Sequence, residues 1–281
     1  MTYQINVIGA GRLGQHWLAA LSSQDDIHIQ QVVSRHLAAS ESNWPVVDSI
    51  DKLKSADITF LCVEDDEIAS AIEALARHSK IPHQSIFVHC AGSLSSDILS
   101  PLANLGALVA SVHPLRAFTR QIDANAFHRC PVSLEGDPLA INQLIPLLQN
   151  LGAQPFVIDK YQKMLYHSAC TLASNGLVGL AHAANKLFQT CRIDNRLANH
   201  LTLSLMSASL NNCHHNNHLL DALTGPIVRG DKHTVQSHLE TLASHPDILM
   251  LYRQLSEQLL SLINAQDSLE NWLEKDVNKS S

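Results

Sequence analysis

The 281-residue chain has no basic block and no long apolar run, and no leader segment is expected. With 19 Lys and Arg against 26 Asp and Glu, its formal charge is −7, so neither nucleic acid nor an anionic membrane surface is expected as a partner. Met1-Thr2-Tyr3-Gln4 runs into an apolar segment without a charged n-region or apolar h-region, and no stretch reaches the roughly 18 apolar residues a membrane span needs. A cytoplasmic protein is expected. Repeats and low-complexity runs are also missing, and only the tail Asn278-Lys279-Ser280-Ser281 reads as frayed. The six cysteines form no CxxC pair, which excludes a zinc ribbon or a short-loop disulfide framework; Cys62 and Cys90 read as small buried hydrophobes. Histidine is abundant, at 17 residues. His214 and His218 would share a helix face, but Asn211, Asn212, Asn216 and Asn217 surround them with amides and no further ligand completes a set, so no metal is expected.

What is present begins at residue 5. The apolar run Ile5-Asn6-Val7-Ile8 meets Gly9-Ala10-Gly11-Arg12-Leu13-Gly14, and a helical pattern follows from Gln15 to Ser22. A dinucleotide pyrophosphate requires this order of strand, glycine turn and helix. Gly9 permits the turn, Gly11 leaves the phosphates unobstructed, and Gly14 lets helix and strand pack closely, while free amides at the helix N-terminus face the anion. Arg12 adds positive potential beside Leu13. An NAD site places an acid at the end of the second strand. Here Ile29-Gln30-Gln31-Val32-Val33 ends in Ser34-Arg35-His36, without a carboxylate. Ser34 and Arg35 suit a 2′-phosphate, which favours NADP(H), with NAD(H) as the alternative.

Short apolar runs then alternate with helical patterns, as a doubly wound, mostly parallel sheet demands. Strands are expected at Ile58 to Val63, Ser85 to Cys90, Leu108 to Val112, Pro131 to Leu134 and Pro155 to Ile158. Helices are expected from about Glu64 to His78, from Ser95, and from Pro138 to Leu151. Ligands gather at the carboxyl ends of such strands. Val63, Asp65, Ala91 and Gly92 are therefore expected against the cofactor, and His113, stiffened by Pro114, faces either substrate or a structural partner.

Strand signals cease after Ile158. A domain boundary is expected near 159, giving a cofactor domain over 1–159 and a helical substrate and dimerisation domain over 160–281. Lys163 to Phe188 reads as one long helix lined by small residues, and later helices are expected over Asp194 to Asn211, Leu219 to Leu223, Lys232 to Ala243 and Pro246 to Asn264.

The combination of Asp57-Ile58-Thr59-Phe60-Leu61-Cys62-Val63, His89-Cys90-Ala91-Gly92-Ser93-Leu94, Ser111-Val112-His113-Pro114-Leu115, Tyr166-His167, Ala173-Ser174-Asn175 and Leu223-Thr224-Gly225-Pro226-Ile227-Val228-Arg229-Gly230-Asp231 resembles bacterial Rossmann-like proteins with a helical C-terminal domain of unknown function. Their architecture is similar to pyrroline-5-carboxylate reductase, to deazaflavin-dependent NADP reductases and, more distantly, to 6-phosphogluconate and 3-hydroxyisobutyrate dehydrogenases. The resemblance implies an NAD(P)-binding, oxidoreductase-like fold, a helical second domain of the 6-phosphogluconate dehydrogenase type and a homodimer. It supplies no substrate. The catalytic Lys that β-hydroxyacid dehydrogenases carry four residues before an Asn is missing, since Thr171 precedes Asn175 at that spacing. His167 would lie near the face of Asn175 on a continuous helix. His167 or His113 would then move the proton for a small carbonyl or imine in an interdomain cleft, with Ser174, Asn175 and Thr224 orienting substrate. The alternatives are polar packing residues and a non-catalytic NADP(H) sensor.

Overall fold

The computed structural model describes residues 2–35, 37, 42–77, 81–263 and 268–274. His36, the helix ends expected at His78 and Asn264, and the tail Asn278 to Ser281 lie outside them. The chain divides into two compact units, Met1–Leu172 and Ala173–Ser281.

The first unit runs β1 (Tyr3–Ile8), α1 (Arg12–Leu21), β2 (Ile27–Val33), β3 (Val46–Val47), β4 (Ile58–Leu61), α2 (Ile68–Arg77), β5 (Ile86–His89), α3 (Ser100–Ala103), β6 (Leu108–Pro114), β7 (Pro131–Gly136), α4 (Pro138–Asn150), β8 (Gln154–Val157) and α5 (Lys163–Thr171). The strands form one sheet in the order β3-β2-β1-β4-β5-β6-β7-β8, reversing at β1 as a doubly wound sheet does. Helices cover both faces, so most strands are apolar on both sides rather than alternating. On one face Val7, Phe60 and Val88 pack against Trp17 of α1 and Leu144 of α4, with Trp17 stacked on Phe127 at 4.0 Å. On the other, Ile8, Leu61 and Phe87 pack against Ile68 and Ile72 of α2 and Leu102 of α3.

Among the described residues all strand pairs are parallel except β6 with β7, which are antiparallel and set Ser111 opposite Glu135 and His113 opposite Ser133. The two-residue β3 carries no apolar period long enough to be read from sequence.

The helix expected to run unbroken from Lys163 to Phe188 is interrupted. Between α5 and α6 (Leu177–Thr190), residues Leu172–Gly176 form a π-helical turn. Ala173, Ser174 and Gly176 offer little side-chain resistance to that wider turn. The uniform 3.6-residue repeat used to relate His167 to Asn175 therefore does not hold across this segment.

The second unit continues through α7 (Asn195–His215), α8 (Leu219–Ala222), α9 (Lys232–Thr241), α10 (Pro246–Leu262) and α11 (Leu269–Glu274). Asp194 caps α7 by accepting from Arg196 N and Leu197 N at 3.0 and 3.2 Å. Val235, Leu239, Leu260, Leu269 and Trp272 form a core between α9, α10 and α11. Because α7 ends at His215, His218 is not on it and instead stands at the N-cap of α8, so the i, i+4 histidine pair does not form. Among the described residues no group of three or more His, Cys, Asp or Glu could hold a metal, and no helix is long and apolar enough to cross a membrane.

Candidate cofactor cavity and histidine pair

Gly11 is the N-cap of α1 and makes no side-chain cap, so the first amides of that helix are left for a ligand or water. Each glycine of the turn meets a different constraint. Gly9 has φ +94°, and a Cβ there would lie 2.6 Å from the carbonyl oxygen of Cys62; a Cβ on Gly14 would lie 1.9 Å from the carbonyl oxygen of Gly9. A Cβ on Gly11 would meet nothing within 4 Å. Chain packing thus explains Gly9 and Gly14, while Gly11 borders open space.

That space is a cavity of about 780 Å³, within the roughly 300–1,000 Å³ typical of ligand sites. Its wall includes Gly9 and Gly11, Ser34 and Arg35 at the end of β2, Val63 just past β4, and Glu67. Ser34 Oγ accepts from Leu37 N at 3.0 Å, shaping the loop after β2. Arg35 forms an ion pair with Glu67. Arg12, Leu13, Asp65, Ala91 and Gly92 are not part of this wall. Leu13 packs against the core, and Asp65 accepts from Ser93 Oγ at 3.1 Å.

Gly92 belongs to a second cluster. A Cβ there would fall 2.7 Å from His167 Nδ1 and 2.8 Å from His113 Nε2, so the missing side chain is what admits two imidazoles over one backbone position. The rings lie 5.9 Å apart. His113 Nδ1 shares a hydrogen bond with the Tyr166 hydroxyl at 3.0 Å, which fixes its ring. His167 Nδ1 is buried and finds no hydrogen-bond partner among the described residues. Burial and then the Lys163 charge, with a smaller contribution from His167, lower the His113 pKa to about 4, so that ring is neutral at pH 7.

Beneath the pair lies a row that sequence reading missed. His89, Ser111 and Glu135 are direct neighbours across β5, β6 and β7, each no more than 2% exposed. Glu135 accepts from Ser96 N at 2.8 Å and from Ser96 Oγ at 2.7 Å. Lys163, opening α5, donates to Ser111 Oγ and stands 3.5 Å from Glu135, itself 1% exposed. Burial lowers the Lys163 pKa against the opposing pull of Glu135, and burial followed by the Lys163 charge brings His89 to about 4. The backbone amide of Ala91 donates to His89 Nδ1 at 3.2 Å. Each residue in the row carries one polar group in an apolar stretch; no spacing motif links them.

Ser174 and Asn175 lie in the π turn of the second unit, and Thr224 is exposed at the corner where Gly225 has φ +103°. Asp231 beyond that corner caps α9, accepting from Thr234 N and Thr234 Oγ at 3.1 and 2.7 Å.

Two family models cover most of the chain. Residues 2–114 match the Rossmann-like domain. Residues 130–259 match a domain of unknown function, DUF2520. No curated protein matches the sequence. Among solved structures, a protein from Thermotoga maritima superposes with TM-score 0.74 at 23% identity, over 93% of this chain and 99% of its own. The reductive aminase from Aspergillus terreus, in complex with NADPH and ethyl-5-oxohexanoate, has TM-score 0.64 at 13% identity over 98% of this chain and 100% of its own. The pyrroline carboxylate reductase of Plasmodium falciparum with NADP bound has TM-score 0.59 at 12% identity over 99% and 98%. Likeness at these identities establishes the fold.

Proposed function

We propose that the protein is an NADP-dependent oxidoreductase acting on a small carbonyl or imine compound. The observation that carries this reading is the uncapped N-terminus of α1 at the bare Gly11, opening onto a cavity of about 780 Å³. Arg35 and Ser34 at its wall suit a 2′-phosphate, and the structurally similar reductive aminase and pyrroline carboxylate reductase are NADPH- and NADP-bound. When bound, the nicotinamide supplies or accepts the hydride. This chain's residues handle the proton. His113, neutral and oriented by Tyr166, presents Nε2 above Gly92 as a hydrogen-bond partner for a substrate oxygen or nitrogen, and His167 presents Nδ1 from the facing side to give or take the proton.

A second copy of this chain is proposed as the protein partner. α6 has no buried residue and α7 only Ala198 and Thr202, leaving Val178, Leu203 and Leu205 each more than half exposed. Light scattering on the purified chain should give twice the chain mass; a monomer rejects this part of the proposal.

Titration with NADPH and NADH, followed by nicotinamide fluorescence, tests the reading directly. NADPH is expected to bind and then to be oxidised on adding a panel of imines and 2-oxo acids. Binding without turnover across the panel would make the protein a sensor, and absence of binding would remove the proposal altogether. Arg35→Ala should weaken NADPH about tenfold while leaving NADH unchanged, as loss of a charge-assisted hydrogen bond requires.

A further inference from the structure

The residue that sets cofactor preference need not be the one that contacts the 2′ position most strongly. We propose that Glu67 is a specificity-determining residue of the cofactor cavity: by pairing with Arg35 it competes with a 2′-phosphate for the guanidinium and leaves the site open to cofactors with a free 2′-hydroxyl. This rests on the reading of the cavity as a nicotinamide dinucleotide site.

Arg35 follows β2, where a Rossmann-type sheet meets the adenosine ribose, and Glu67 closes the 3-10 turn Asp65–Glu67 that leads into α2. Both line the same cavity, and their side chains form an ion pair through Glu67 Oε1 and Arg35 Nη2. Arg35 is 70% exposed and Glu67 38%, so the pair is reachable by a ligand and not locked in the core.

The charge of the surrounding wall points the same way. Asp48, Asp51, Glu64 and Asp66 line the cavity with Glu67, and Asp48 is matched by Lys52 at 2.8 Å. A phosphate arriving at Arg35 must displace one carboxylate and sit near others, a repulsion that a neutral ribose avoids. A carboxylate in this position can instead accept a hydrogen bond from a ribose hydroxyl, the role an acid at the end of the second strand usually plays. The loop after β2 lacks that acid; here the carboxylate comes from the neighbouring crossover.

Glu67→Gln keeps the side-chain shape and removes the charge. Affinities for NADPH and NADH, measured by nicotinamide fluorescence for the wild-type chain, Glu67→Gln, Arg35→Ala and the double variant, form a closed cycle. The expected result is a rise of about fivefold in the NADPH-to-NADH affinity ratio for Glu67→Gln, the scale of an exposed ion pair, falling off in high salt. That rise should shrink in the Arg35→Ala background, because the part that acts through the guanidinium is lost there. An unchanged ratio in the single variant, or an equal rise without Arg35, overturns the inference while leaving the cofactor reading intact. Failure of the wild-type chain to bind either nucleotide overturns both.

Discussion

Lys163 and Glu135 put opposite charges at the centre of a sheet, and their surroundings decide what each is worth. Glu135 has two hydrogen bonds from Ser96 in addition to the ammonium, so removing only the lysine leaves a buried carboxylate half-satisfied. Lys163→Met is therefore expected to destabilise the chain by about 3–5 kcal/mol in urea unfolding, whereas Lys163→Met with Glu135→Gln should recover most of that loss. A single variant as stable as wild type would show that the pair contributes nothing. These residues also mark the limit of what the sequence discloses. Gly9, Gly11 and Gly14 could be read as a tight strand-to-helix turn, and Ser34 and Arg35 as the end of the second strand, because both depend on local spacing. Lys163, Ser111 and Glu135 meet only because β7 runs antiparallel to β6 and α5 returns over both, a contact that no local period encodes. His113 stood out beside its proline, but its partnership with Gly92 and Tyr166 is a tertiary fact.

At the scale of elements, the junction of β1 with α1 separates Gly9 and Gly14, which the packing of the chain requires, from Gly11, which borders open space. Gly11→Ala places a methyl group in open space at φ −71°, which alanine adopts freely, so stability should hold or rise by up to about 1 kcal/mol. The same methyl faces the expected pyrophosphate, and NADPH affinity should fall at least tenfold. Gly14→Ala drives a methyl into the Gly9 carbonyl and must push α1 off the sheet, at a loss of about 1–3 kcal/mol or more. Melting temperatures measured alongside nucleotide titrations distinguish the two; equal effects on stability would contradict the division. Strand and helix existence was largely legible because buried parallel strands and their crossover helices carry long apolar signals. The π turn was not, since Leu172 to Gly176 fits an ordinary helix residue by residue. The end of α7 was missed for a similar reason: polar Asn and His residues on both sides of His215 give no change of pattern there.

For the molecule as a whole, two imidazoles, His89 buried and His113 partly buried, couple the fold to pH. His89 and His113 each have a native pKa of about 4, against 6.5 for a free histidine. Above pH 6.5 both are neutral in either state and stability does not depend on them. Between 6.5 and 4 the unfolded chain takes up protons that the native chain excludes, so stability falls as the pH falls, with a slope of up to about 1.4 kcal/mol per unit for each ring. Below 4 the native rings protonate too and this contribution levels off. Urea unfolding of the wild-type chain at pH 7.5, 6 and 5, followed through Trp17 in the same unit, should therefore show a loss of a few kcal/mol that begins near pH 6.5. His113→Gln keeps a polar side chain beside Tyr166 and removes one titrating ring, so it should flatten the slope by about 1.4 kcal/mol per unit. A wild-type profile that is level down to pH 5, or a slope that the substitution leaves untouched, would mean that His113 does not carry its proton exclusion into the stability of the fold.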